Sequence, residues 1–201
     1  MNIIVHLMFA VTLRKHIKKK MGISLNLRGF LFGNILPDIS RKYGRYPHYM
    51  KDALSHVAES KDNLLFNSYD PFYSYRFAKK LGAMNHYLSD FFCLPHTEGY
   101  KGSKTHHGYY EFMMIARYRK GLKAYRKLLM EQDSDLKQRD LMSFIVDNNK
   151  IYSEKKQSDV NDIRYALYAG TKFNECILAH TLAAAAKGRE FEKLSGAHAA
   201  I

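Results

Sequence analysis

Two short stretches in the middle of the chain have the residue types and spacing of metal ligands. His86-Tyr-Leu-Ser-Asp90 sets an imidazole four residues before a carboxylate, and His107-Gly-Tyr-Tyr-Glu111 repeats the pattern. Residues four apart on a helix share a face, so each pair can reach one cation together. His96 lies between the pairs, just past Pro95. A single His-x-x-x-Asp is most often an ordinary contact on a helix face. Two of them flanking a third histidine point instead to a centre of nitrogen and oxygen ligands, a donor set suited to zinc.

Such pairs work only if helices carry them, and the hydrophobic pattern provides helices. Apolar residues recur at three and four spacing at Ile3, Ile4, Leu7, Met8, Val11 and Leu13, and again at Leu54, Val57, Leu64 and Leu65. Further helices are expected from about Tyr73 to Phe92, His106 to Met130, Leu136 to Tyr152 and Val160 to Lys187, the last capped by Ser158 or Asp159. Breaks are expected at Met21–Gly22, at the GNILPDIS stretch with its Pro-Asp turn, near Asp70-Pro71, and over Leu94–Lys104. The expected fold is all-α, a compact single-domain bundle of about six helices over 1–190, with 191–201 as a frayed or appended tail.

Composition narrows the partners. The 201 residues are 46% hydrophobic and carry a formal net charge of +13, which directs the chain toward anionic partners, phosphate first. Cys93 and Cys176 are too few for a disulfide scaffold or a cysteine-rich metal site. The apolar N-terminal stretch is followed rather than preceded by basic residues and is interrupted by His6, so a cleavable signal is not expected and a cytoplasmic location is, with secretion by another route left open. The basic cluster Arg14, Lys15, Lys18, Lys19 and Lys20 is either a solvated helix end or a contact for anionic lipid.

The segment H-Y-L-S-D-F-F-C-L-P-H, followed by H-H-G-Y-Y-E, resembles the signature of the zinc-dependent phospholipase C family, which is related to the fungal single-strand nucleases. The family's pattern of H-x3-D-x5-H and then H-x3-E is met at His86, Asp90, His96, His107 and Glu111 without insertion. Upstream, Gly33-Asn34-Ile35-Leu36-Pro37-Asp38 is similar to the family's segment with a further aspartate, Tyr46-Pro47-His48-Tyr49 to its next histidine, and His6 to its early one. The resemblance implies one zinc held by Asp38, His48, His86 and Asp90, and a second by His96, His107 and Glu111. It implies a third between His6 and Asp90, which the family completes with a processed N-terminal residue, usually tryptophan. This chain has no tryptophan, so two firmly held ions are expected and the third stays open. Two registers compete: His106 with His107, where only the latter reaches Glu111, and His56 with His48, where the resemblance favours His48.

The function so implied is phosphodiester hydrolysis by a metal-bound hydroxide, with Asp38 as ligand or base. A phospholipase C that acts on a phospholipid head group is the leading reading, with peripheral contact to an anionic membrane. A nuclease using the same centre is the first alternative, because the basic charge and the many aromatics suit a nucleic-acid groove. A non-catalytic metal-binding or membrane-interaction protein is the second. Phe72, Tyr75, Phe91 and Phe92 follow helical spacing, and core packing is their expected role.

Overall fold

A computed structural model describes residues 1–42, 44, 46–66, 71–132 and 140–198, with side chains as far as 186. The described residues form seven α-helices and no strand. These are α1 (Ile3–Met21), α2 (Leu27–Ile39), α3 (Met50–Phe66), α4 (Tyr75–Asp90), α5 (Lys104–Glu131), α6 (Leu141–Ser153) and α7 (Asp159–His198), with a 3-10 turn at Leu94–His96. The all-α expectation holds. Residues 136–139 of the fifth expected helix lie outside the described residues, and α7 runs past Lys187 as helix to His198.

The helix missing from the sequence reading is α2, and the GNILPDIS stretch read as a break lies mostly inside it. Asn26 caps the helix by accepting from Gly29 N, and Pro37 sits within the last turn. Its glycines serve helix packing. A Cβ at Gly33 would lie 2.2 Å from the carbonyl of Lys79, and one at Gly82 would lie 2.5 Å from that of Phe30. The backbones of α2 and α4 therefore touch through glycine, which reads as a breaker in a sequence and acts here as a contact. This close pairing brings Asp38, at the end of α2, beside His86 on α4.

The other boundaries follow ordinary capping. Gly22 ends α1 with φ +70°, its N–H donating to Lys18 O. Ser74 and Ser103 cap α4 and α5 by accepting from Phe77 N and His106 N. Phe9, Phe30, Phe77, Tyr87, Phe91, Phe92, Tyr168 and Phe173 fill the centre. Phe91 and Phe92 thus have their expected role, Phe72 packs at the edge, and Tyr75 is a correction because it stands exposed. Among the described residues no helix is long and apolar enough to cross a membrane.

Candidate metal centre

All eight sequence-predicted ligands converge at one end of the bundle. α1 supplies His6, the end of α2 Asp38, the segment before α3 His48, α4 His86 and Asp90, the 3-10 turn His96, and α5 His107 and Glu111. Asp90 is central and fully buried. Its Oδ1 lies 3.5 Å from His6 Nε2 and 3.8 Å from His96 Nε2. Its Oδ2 lies 2.9 Å from His48 Nδ1 and 3.3 Å from His86 Nε2. Asp38 faces the same histidines, 3.6 Å from His86, 3.9 Å from His48 and 4.0 Å from His6. Glu111 accepts from His107 at 2.8 Å and stands 3.5 Å from His96. The α-amine of Met1 is buried among them, ion-paired with Asp90, 3.0 Å from His96 Nε2 and 3.4 Å from Glu111.

Three groups have all their ligand atoms close together, and Asp38, His48, His86 and Asp90, the set that the resemblance implies for one ion, also meet at 2.9–3.9 Å. His6 joins Asp38 and His86, their ligand atoms all within 4.8 Å, and the rings of His6 and His86 stack at 3.9 Å. His48 joins Asp90 and His96. His96 and Glu111 form a third group with the buried Cys93, while His107 sits on Glu111. His106 turns away to Tyr100 at 2.7 Å, and His56 stacks on Tyr46.

The surrounding hydrogen bonds fix which ring nitrogen faces inward. Ser89 Oγ donates to the carbonyl of His86, so toward His6 Nδ1 it acts as the acceptor. His86 Nδ1 donates to the carbonyl of Asn34 at 2.9 Å. Both rings therefore carry their proton on Nδ1 and turn a bare Nε2 into the centre, the orientation that metal-ligating histidines adopt. Burial, helped by facing imidazoles, lowers the pKa of His6 well below the usual range and that of His86 to about 4, so both rings are neutral at pH 7.

The carboxylates respond in opposite directions. Burial would raise Asp90 and Glu111, yet the Met1 amine and the surrounding imidazoles outweigh it, holding Asp90 well below its usual range and Glu111 at about 2. Asp38 is raised to about 6 by burial and by the charge of Asp90. The Met1 amine, which burial alone would discharge, is held protonated at about 11 by Asp90 and Glu111. The centre thus draws cationic charge inward.

These residues fit zinc. Among the described residues, the buried side-chain atoms without a well-formed hydrogen bond are His6 Nε2, His86 Nε2, Asp90 Oδ2 and Arg164 Nε, and the first three converge here. A buried polar atom without a good hydrogen bond costs about 1–3 kcal/mol, and cations held among these ligands would offset that cost.

Two features had no counterpart in the sequence reading. Asp162, on α7, is fully buried and accepts from Leu94 N at 2.8 Å and from the hydroxyls of Tyr110 and Tyr152, each at 2.9 Å. It thereby ties down the turn that carries His96 and the helix that carries Glu111. The second is a cavity of about 520 Å³ that opens beside His96, lined by Tyr49, Leu54, Phe91, Asn149 and Tyr152 among others. Neither had a usable signal, since Asp162 is one acidic residue at a helix start and the cavity is built by three separate elements.

Comparison with known proteins agrees with this geometry. A family model described as zinc dependent phospholipase C matches residues 4–159, which contain every predicted ligand. No curated protein and no solved structure matches the chain. With five imidazoles and three carboxylates gathered at one end of an all-helical bundle, and with most of its length matched, the chain belongs to the zinc-dependent phospholipase C family.

Proposed function

We propose that this chain is a phospholipase C-type hydrolase that cleaves the phosphodiester of a phospholipid to diacylglycerol and a phosphorylated head group. The observation that carries the reading is the set of three buried ligand atoms without a well-formed hydrogen bond, His6 Nε2, His86 Nε2 and Asp90 Oδ2, gathered with the other ligands at one end of the bundle. Zinc held there would supply positive charge for the phosphoryl oxygens and lower the pKa of water toward neutrality. His6, His86 and Asp38 would hold one ion, and His48, Asp90 and His96 another, with Glu111 and His107 beside His96.

The chain's own residues account for the rest. Asp38 is the most exposed of the three carboxylates, at 21% against 12% for Glu111 and none for Asp90. It is the one that can take a proton from an attacking water at its Oδ atoms while the others stay enclosed. The cavity beside His96 has the volume of a small-molecule site, and its aromatic wall suits the part of the lipid next to the scissile bond.

A panel assay tests the reading. Zinc-loaded protein is given phosphatidylcholine, anionic phospholipids, single-stranded DNA and RNA, and bis(p-nitrophenyl) phosphate. Zinc-dependent release of diacylglycerol is the expected result. Cleavage of the nucleic acids without lipid turnover would make the chain a nuclease, and zinc binding with no turnover of any substrate would make the metal structural.

A further inference from the structure

We infer that the outward face shared by α1 and α5 is a docking surface for an anionic phospholipid bilayer, beside the metal centre to which the first turns of both helices contribute ligands. The inference rests on the phospholipid reading above and names the form in which that substrate is met. α1 and α5 lie side by side and run in the same direction. Asn2 donates to the carbonyl of Glu111 at 3.0 Å, and Tyr118 Oη donates to the carbonyl of Met8 at 2.9 Å, so the two helices start together at the centre.

Each helix carries the same two-part stripe on its outer side. On α1, Ile4, Leu7 and Val11 are followed at the same spacing by Lys15. On α5, the exposed Phe112 is followed two turns later by Arg119, with the half-buried Ile115 between them. Ile4 is 56% exposed, Val11 37% and Phe112 63%, far more than packing on the core would leave. The apolar halves thus flank the centre together, and the basic halves lie together beyond them. Contiguous exposed apolar surface of this kind marks a contact site.

Charge identifies the partner. Neither α1 nor the stretch of α5 from Phe112 to Met130 contains a single Asp or Glu. Lys15, Lys18, Arg119 and Arg126 are exposed and make no ion pair among the described residues, whereas Lys20 and Arg117 are engaged by Glu175 and Asp159. An apolar band with a basic flank is the pattern of a surface that lies on an anionic leaflet. A nucleic acid fits less well, because the stripe offers one ring, Phe112, beside the aliphatic Ile4, Leu7 and Val11, where base stacking needs successive rings. A second copy fits less well too, because a two-fold pairing that brings this face onto itself sets positive charge against positive charge.

The test is co-sedimentation of zinc-loaded protein with vesicles of phosphatidylcholine alone or containing phosphatidylserine, at low and high salt. Binding should require phosphatidylserine and weaken with salt. Removing two basic side chains in Lys15→Ala/Arg119→Ala should lower partitioning roughly thirtyfold. Val11→Ser/Phe112→Ser should abolish the binding that survives high salt. Both variants should keep the parent's melting temperature and its turnover of soluble bis(p-nitrophenyl) phosphate. Several results would each overturn the inference: equal binding to neutral vesicles, partitioning within twofold of the parent in either variant, dimerisation lost in these variants, or oligonucleotide retention lost in them without vesicle binding. If the vesicles are bound as described but nothing is hydrolysed, the docking surface stands and the phospholipase reading falls.

Discussion

Replacing Asp162 by alanine probes the support of the metal centre without touching a ligand. The carboxylate accepts from one backbone amide and two tyrosine hydroxyls, and all three lose their acceptor together. A buried donor left unsatisfied costs about 1–3 kcal/mol, and with rotation of the hydroxyls toward other partners the total is about 3–6 kcal/mol. That is a large part of the roughly 5–15 kcal/mol that holds a domain folded. Asp162→Asn keeps one acceptor oxygen and should cost about 1 kcal/mol near pH 5. The two variants also differ from the parent in pH dependence. Burial raises Asp162 to about 7 against opposing hydrogen bonds, so between pH 4 and 7 the folded parent holds a proton that the unfolded chain has released. Parent stability therefore falls as pH rises through that window, and the asparagine variant, lacking the group, closes the gap as pH rises. Urea unfolding at pH 5 and pH 8, with zinc content measured in parallel, reads both effects. An alanine variant within about 1 kcal/mol of the parent, with its zinc intact, would refute the support argument.

His86→Ala and Asp90→Asn each remove a buried donor from the centre and should abolish diesterase activity and release metal; full turnover and zinc content in both would defeat the assignment. His107→Ala should lower activity and zinc affinity by tenfold or more, while His106→Ala, which loses a contact to the exposed Tyr100, should leave both within about twofold. Elemental analysis after extensive dialysis should find about two zinc ions per chain, and chelating them should lower the melting temperature, because a ligand that binds only the folded state adds to its stability.

The ligand pairs were legible because a helix writes its faces directly into sequence. His86 with Asp90 and His107 with Glu111 need only a four-residue spacing, and the partners meet wherever the helix goes. The meeting of ligands from different helices was not legible from spacing, because it depends on how helices pack. His6 lies beside His86 only because α1 and α4 cross at that point, and His16 finds Glu175 from the far end of the chain. The helix α2 was hidden for a related reason. Gly33 and Pro37 are punctuation in a local reading, and only the approach of α4 shows that the glycine is required for contact.

α1 shows most clearly how a correct element can be assigned for an incomplete reason. The apolar residues that mark it as a helix are Ile3, Ile4, Leu7, Met8, Val11 and Leu13, and of these only Leu13 is buried. The buried side is Val5, His6, Phe9, Ala10, Leu13 and Ile17, a second stripe on the same helix. An apolar stripe on each side is more than a helix packed on a core at the bundle surface requires. The inner stripe sets His6 in the metal centre, and the outer one leaves Ile4 and Val11 in solvent at its edge. Burial explains the first stripe and cannot explain the second, and the outer stripe is the surface that the proposed lipid contact would use.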